Sequence, residues 1–225
     1  MKKNLDNWQK FHIERLKLEY PEWPNELMLR LIFGNFLKKK IKINKKPKIL
    51  DVGCGFGNNL IAFTKMKADL YGTEVTKKIC NIAENLLKQK NIISTIKVGT
   101  NKDIPFQSNF FDLLLSINVL HYENSEKNII KALKEYRRVL KKGGTLILIT
   151  VGPNHQIIKN SEILSPHIYK IKKWDFRNNE KFFYFDSEKY LQNYLLKLFN
   201  SIETGRSTEK LMTKTLDFLV SKGVK

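Results

Sequence analysis

The stretch Lys48-Ile-Leu-Asp-Val-Gly-Cys-Gly-Phe-Gly57 decides the fold of this 225-residue chain. A short apolar run ends in three glycines at alternate positions, and a helical pattern begins near Asn58. This order predicts a buried strand, a tight turn and the start of a helix. Because glycine has no Cβ, a ligand can approach the backbone of such a turn, toward which the unpaired N–H groups of the helix start also point.

A second landmark lies 23 positions beyond Asp51. Glu74 ends another apolar run, residues 68–74. An acidic side chain at the tip of the second strand of an open α/β fold can hydrogen-bond the ribose of a nucleoside. The glycine spacing differs from the dinucleotide-binding pattern, whose third glycine falls one place later than Gly57.

Five segments in order resemble the motifs of the class I S-adenosylmethionine-dependent methyltransferases, and they cover roughly residues 47–151. Asp51 with the alternate glycines is similar to the first motif, and Glu74 is similar to the second. The later matches are residues 98–106, 110–121 and 136–149. One glycine turn is weak evidence for a family, whereas five ordered matches are strong evidence.

The resemblance implies an α/β fold with a doubly wound, mostly parallel seven-stranded sheet, the Rossmann-like methyltransferase fold. The alternation of strand and helix patterns favours a parallel, doubly wound sheet as well. The expected core strands are 48–52, 69–73, 94–98, 111–116 and 144–150, and the expected helices are 5–18, 24–40, 58–66, 76–90, 125–141 and 187–198. Segments 199–205 and 216–221 resemble the family's last two strands, an antiparallel hairpin, although the pattern over 208–222 also fits a helix.

We expect one domain, residues 1–225, built from four parts. These are an N-terminal helical cover (1–46), a cofactor-binding core (47–151), a substrate cap after the fifth strand (152–185), and a C-terminal helix and hairpin (186–225). The cap shows no clean periodicity, so we expect a long irregular loop over the ligand crevice.

The chain carries 41 Lys and Arg against 22 Asp and Glu, a net charge of +19. Such an excess favours anionic partners, such as nucleic acid, a membrane surface or an anionic small molecule, but simple solvation of surface lysines explains it equally well. The two cysteines form no C-x-x-C pair, which argues against a metal site or a disulfide framework. No signal peptide or transmembrane-length apolar run is visible, so we predict a cytoplasmic protein without membrane insertion.

The resemblance implies S-adenosyl-L-methionine as the cofactor. Gly53 and Gly55 would offer backbone to its methionine portion, Asp51 would reach its amino group directly or through water, and Glu74 would accept hydrogen bonds from both ribose hydroxyls. Thr100 stands where the family commonly has an acid that contacts adenine. The full set of predicted cofactor contacts is Asp51, Gly53, Cys54, Gly55, Glu74, Thr100, Asn101, Ser116 and Asn118.

Methyl transfer from a sulfonium is an in-line displacement, so the enzyme chiefly orients the reactants, and a general base helps when the acceptor is a hydroxyl. His121, shortly after the fourth strand, is our first candidate base, although it fits a helix-capping or backbone-bonding role equally well. The cap cations Lys170, Lys172, Lys173 and Arg177 surround Trp174, which suits an anionic or sugar-like acceptor. The candidate acceptor contacts are His12, Tyr20, His155, His167, Trp174 and Arg177.

The leading prediction is therefore methyl transfer to a polar, anionic small molecule, namely O-methylation of a phosphorylated metabolite or of a surface-polysaccharide precursor. The alternatives are an RNA methyltransferase, a cofactor-binding module without catalysis, and a nicotinamide dehydrogenase. No Asn-Pro-Pro-Tyr-like motif, which methylation of base amino groups usually uses, follows the fourth strand. The pattern predicts no particular oligomeric state.

Overall fold

The computed structural model describes residues 2–17, 23–173 and 177–225, and side chains from residue 8 onward. The strands are β1 (Lys48–Val52), β2 (Asp69–Glu74), β3 (Ser94–Val98), β4 (Phe111–Ile117), β5 (Leu140–Val151), β6 (Ser161–Ser165), β7 (Ile168–Ile171), β8 (Lys181–Phe183), β9 (Asn200–Leu211) and β10 (Lys214–Val224). The helices are α1 (Lys2–Lys17), α2 (Glu26–Phe33), α3 (Asn58–Ile61), α4 (Lys77–Gln89), α5 (Glu126–Val139), α6 (Gln156–Lys159) and α7 (Glu188–Leu196).

Seven strands form one sheet in the order β3-β2-β1-β4-β5-β10-β9. The first five strands run parallel, and β10 runs antiparallel to both β5 and β9. β1 and β4 are neighbours in the sheet although β2 and β3 separate them along the chain, so the strand order reverses at this point. The carboxyl ends of strands at such a switch point form a ligand crevice. The predicted seven-stranded, mostly parallel sheet is confirmed.

Helices cover both faces of this sheet. On one face α5 and α7 pack against inward residues such as Leu50, Leu114 and Leu148. On the other face α2, α3 and α4 pack against residues such as Ile49 and Leu115. Strands buried on both faces read as continuous apolar runs, which is why the sequence located them so well. Within the described parts of the chain, no helix combines the length and the apolar character that crossing a bilayer requires.

The second predicted helix, 24–40, is wrong beyond residue 33. Asn25 caps the start of α2 by accepting the N–H of Met28, and Gly34 ends it in an extended conformation. The next residues bond elsewhere, because the backbone N–H groups of Lys38 and Lys39 donate to the Glu203 carboxylate at 2.6 and 3.3 Å. These tertiary hydrogen bonds replace the ladder that a longer helix would have needed.

Three other expectations need correction. The cap is not an irregular loop, because β6, β7 and β8 form a three-stranded antiparallel sheet. Its apolar side chains, which include Ile157, Tyr169, Ile171 and Phe182, make a small core of their own. The helix alternative for 208–222 is also wrong, since β10 pairs along its length with β5 and β9. The predicted helix 58–66 is α3 followed by a separate 3-10 turn, Thr64–Met66.

Candidate active site

A cleft of about 1190 Å³ opens at the carboxyl ends of β1, β2 and β4. The glycine turn, Glu74 and the residues after β3 and β4 form its floor. Residues of α1 and of the cap form its other walls. The fold therefore places the motif residues and the cap on opposite sides of one chamber, at the topological switch point.

The three glycines of the turn have different reasons to be glycine. Their φ angles of +65°, +56° and +80° are all in the left-handed region. A Cβ on Gly53 would lie 2.5 Å from Val119 Cγ1, and one on Gly57 would lie 2.6 Å from Leu87 Cδ1. A Cβ on Gly55 would lie 3.6 Å from His12 Nε2, its one neighbour within 4 Å among the described residues. Packing therefore excludes side chains at Gly53 and Gly57, whereas at Gly55 the missing side chain leaves space in the cleft.

Glu74 joins the tip of β2 to this turn. Its Oε1 accepts the N–H of Gly55 and its Oε2 accepts the N–H of Val75, both at 2.9 Å. The residue is only 7% exposed, yet it lines the cleft. Each carboxylate oxygen keeps a further lone pair after accepting one hydrogen bond. The carboxylate is therefore held in place and can still accept two hydroxyl groups from a ligand.

Asp51 lies behind the turn rather than in the cleft wall. It is 1% exposed, and its Oδ2 accepts a hydrogen bond from Asn59 Nδ2 at 3.2 Å. Burial raises the pKa of Asp51 to about 7, against the lowering effect of the Asn59 hydrogen bond, and the nearby Glu74 adds to the rise. A positive charge in the cleft would therefore favour ionisation of this carboxyl group.

An aromatic wall lines the cleft where α1 meets the cap. The Tyr122 ring packs edge-on against Trp8 of α1 and against Phe182 of the cap, with ring centroids 4.9 Å apart in both pairs. The Tyr122 hydroxyl accepts a hydrogen bond from Arg177 Nη1, and the guanidinium lies over the Tyr122 ring. Burial raises the pKa of Tyr122, so its phenol stays protonated near neutral pH.

Comparison with known proteins agrees with this geometry. The family model described as "Methyltransferase domain" matches residues 50–148. Residues 50–148 are thus similar to a methyltransferase domain, in agreement with the resemblance to the class I S-adenosylmethionine-dependent methyltransferases that the sequence motifs carry.

Similar proteins include an uncharacterised protein of Methanocaldococcus jannaschii, 33% identical over 149 residues, which are 63% of this chain and 60% of that protein. The uncharacterised methyltransferase YcgJ of Bacillus subtilis is 26% identical over 49% of this chain and 43% of its own length. The chain thus spans less than two thirds of either relative. A solved S-adenosylmethionine-dependent methyltransferase of Methanosarcina mazei superposes with a TM-score of 0.63 at 20% identity, covering 81% of this chain and 94% of the other, and this likeness supports the fold.

The comparisons support S-adenosylmethionine as the cofactor, and the cleft has groups that fit it. Besides the open acceptor sites of Glu74, two buried oxygens in the cleft wall, Thr73 Oγ1 and Asn118 Oδ1, have no hydrogen-bond partner among the described residues. Asn118 has a φ of +59° and donates its N–H to the Ile149 carbonyl. An unpaired buried acceptor is costly, and the cofactor's amino group is a donor of the kind that both atoms lack.

The residues of the third motif mainly form hydrogen bonds within the protein at the cleft wall. Thr100 lines the cleft, and its backbone pairs with Asp103. Both ends of the Asn101 amide are used, since Nδ2 donates to the Val119 carbonyl and Oδ1 accepts from the Tyr136 hydroxyl at 2.6 Å. The backbone N–H of Cys54 donates to the Thr73 carbonyl. Burial raises the pKa of the Cys54 thiol. Direct contact of Thr100, Asn101 and Cys54 with the cofactor stays a prediction.

Several predicted site residues lie away from the cleft of the methyltransferase. Ser116 is a fully buried residue of β4, and its hydroxyl donates a hydrogen bond to the Tyr136 hydroxyl at 3.1 Å. The His155 ring caps α6 by accepting the Ile157 N–H at 3.0 Å. His167 stacks on Tyr190 with ring centroids 4.1 Å apart. Of the other acceptor candidates, His12 and Arg177 line the cleft, while Tyr20 and Trp174 lie outside the described residues.

His121 does not face the cleft, because the adjacent Tyr122 occupies that part of the wall. Its ring is buried behind Tyr122, at a centroid distance of 4.4 Å, and its Nδ1 lies 3.3 Å from Thr150 Oγ1. Burial holds the pKa of His121 well below its usual value, with Arg177 and His155 adding to the effect. The geometry therefore favours the structural role over the general base. The sequence offered Tyr122 only as its neighbour, with no pattern of its own.

We expect the affinity for S-adenosylmethionine to rise with pH through the pKa of Asp51. In the free protein this pKa is about 7, and the positive amino group of the bound cofactor would lower it. Binding then releases a proton, so the dissociation constant should be about tenfold larger at pH 6 than at pH 8. Calorimetric titration across this range measures it. Asp51→Asn should lose that step, while any titration of the ligand's own amino group remains; equal profiles in both proteins would contradict the role of Asp51.

Proposed function

We propose that this methyltransferase transfers a methyl group from S-adenosylmethionine to a polar small molecule held between α1 and the cap. The observation that supports it is the aromatic wall of Trp8, Tyr122 and Phe182, which joins α1 to the cap along the cleft. A chamber with aromatic walls and a few polar groups is typical of sites for small ligands. It also keeps water away from the reacting groups.

The residues of the chain would act mainly by orientation. The bound cofactor supplies a methyl group that its sulfonium already activates, so little further chemistry is required of the protein. Glu74 would fix the ribose, Asn118 would hold the amino end, and Gly55 would leave room for the methionine portion. Tyr122 keeps its proton and would donate a hydrogen bond to the acceptor rather than remove a proton from it.

We also propose, at a finer level, an acceptor with an anionic group, such as a phosphorylated metabolite or a surface-polysaccharide precursor methylated on oxygen. Arg177 is the cation that supports this idea, because guanidinium groups bind phosphate and carboxylate in a bidentate manner. Lys102, another cation of the cleft, already pairs with Glu123 at 2.6 Å. Arg15 and Lys181 line the cleft as well, so an anionic group would bind among several cations, of which Arg177 lies beside the aromatic wall.

RNA is the second candidate acceptor. Six lysines between residues 38 and 46 are exposed, in the segment that leads into β1 and hence toward the amino edge of the sheet, away from the cleft. Such a lysine-rich segment suits a phosphate backbone. The third hypothesis is a cofactor-binding module without catalysis. Such a module would need the same Glu74 and Gly55 to bind the cofactor and would show no turnover.

An acceptor assay tests the proposal. The full chain is incubated with methyl-labelled S-adenosylmethionine and with sugar phosphates, nucleotide sugars or bulk RNA. We expect label in the small-molecule fractions and none in RNA, because the aromatic wall encloses the acceptor. Gly55→Val, which blocks the cofactor, is the control for contaminating activity. Strong labelling of RNA would overturn the small-molecule assignment, and tight cofactor binding without turnover on any acceptor would favour the module.

A further inference from the structure

Glu180 is a buried carboxyl group on the cap side of the cleft, and no motif or spacing in the sequence singles it out. It lies between β7 and β8, lines the cleft and is 9% exposed. Its backbone is held on both sides, because its N–H donates to the Arg177 carbonyl at 3.1 Å and its carbonyl accepts the Ile171 N–H at 3.0 Å. These two hydrogen bonds therefore hold the backbone that carries the Glu180 side chain in a defined position.

The carboxyl group of Glu180 lacks a partner for one oxygen. Oε1 is buried and accepts no hydrogen bond from any part of the chain that the structure describes. Burial raises the pKa of Glu180, against the lowering effect of the Arg177 charge. A buried carboxyl oxygen without a donor is unfavourable, so this atom marks a place where a hydrogen-bond donor fits.

The surroundings of Glu180 indicate which side of the cleft that donor would occupy. Glu180 lies two positions before Phe182, whose ring packs against Tyr122 in the aromatic wall at a centroid distance of 4.9 Å. Glu74 and the glycine turn, by contrast, lie on the floor of the cleft, at the tips of β1 and β2. The Glu180 carboxyl is thus on the cap side, where the acceptor rather than the cofactor would bind.

We propose that Glu180 binds a hydroxyl or amine group of the acceptor molecule, so that an acceptor needs a hydrogen-bond donor beside its apolar part. This inference rests on the proposed function, since it places the acceptor under the cap. The inference also narrows the class of acceptor molecule that the proposed function allows. A purely anionic acceptor would leave Oε1 unpaired and would be repelled by the carboxylate, whereas a hydroxyl or amine satisfies it.

Small aromatic probes test this without a known acceptor. The chain, with and without saturating S-adenosylhomocysteine, is titrated with benzyl alcohol, benzylamine and ethylbenzene by ligand-observed NMR. Ethylbenzene has nearly the shape of the alcohol but no donor. We expect the alcohol or the amine to bind about tenfold more tightly than ethylbenzene, the usual worth of one hydrogen bond to a charged group. Glu180→Leu should remove this difference.

Two further variants identify the donor and control for the fold. Glu180→Gln keeps an acceptor oxygen but loses the charge, so it should retain the preference for the alcohol and lose that for the amine. Glu162→Leu removes an exposed carboxylate of the same cap, paired with Lys172, and should change nothing. Equal binding of all three probes, no binding, or a preference that survives Glu180→Leu would overturn the proposal. Failure to bind S-adenosylhomocysteine would instead contradict the proposed function, because the probes report on Glu180 with or without it.

Discussion

Replacing Gly55 by Val should abolish the binding of S-adenosylmethionine while leaving a folded protein. The Cβ of residue 55 would point into the cleft, where its nearest neighbour is His12 Nε2 at 3.6 Å. There is thus room for a side chain in the folded protein, but the room is the space that the methionine portion of the cofactor would need. The φ of +56° adds a strain of about 1–2 kcal/mol for any residue other than glycine.

Gly143→Val is the matched control for Gly55→Val. Gly143 has a φ of +79°, and a Cβ there would meet nothing within 4 Å among the described residues. It should therefore suffer the same backbone strain without touching the cleft. We expect calorimetry to detect no cofactor binding by Gly55→Val and normal binding by Gly143→Val, with similar small losses of Tm in both. Retained affinity in Gly55→Val would remove the case for a close approach of the cofactor to this backbone.

The sequence predicted the core of the fold well because the relevant information is local. The apolar runs, the glycine turn and the capping residues Thr76 and Ser125 each act within a few positions of themselves. The observed β1 and β3 coincide with their predicted ranges, and the other core strands differ mainly at their ends. A strand buried on both faces must be apolar throughout, so its sequence leaves few alternatives.

What the sequence missed depends on contacts between distant positions. No sequence pattern near residue 121 indicates that Tyr122 lines the cleft while His121 is buried behind it, next to Thr150. The role of Glu180 likewise depends on where the cap sheet places it relative to Tyr122. The burial of β6 is almost uniformly low, and β7 alternates over only four residues, so the sequence of the cap sheet carries little periodic signal. The acceptor side of the site was therefore beyond what periodicity and motifs can show.

Replacing Glu74 by Ala should weaken S-adenosylmethionine binding by about 3 kcal/mol, or more than 100-fold. Two losses combine in this estimate. The ribose hydroxyls would lose a charged acceptor, and the N–H groups of Gly55 and Val75, which Glu74 accepts at 2.9 Å, would be left without their partner. The second loss loosens the turn itself, so the effect should lie at the upper end of what a single polar contact contributes. Calorimetric titration of the purified full-length variant measures it.

A matched carboxylate separates these two losses. Glu84 on α4 also accepts a backbone N–H, that of Ile96 at 2.9 Å, and it does not line the cleft formed by the described residues. Glu84→Ala should therefore lower stability by a comparable hydrogen bond while leaving the dissociation constant unchanged. Glu74→Gln, which keeps one acceptor oxygen, should fall between the wild type and Glu74→Ala. If Glu74→Ala bound the cofactor as tightly as Glu84→Ala, the carboxylate at the tip of β2 would not hold the ribose, because Glu74 lines the cleft formed by the described residues and Glu84 does not.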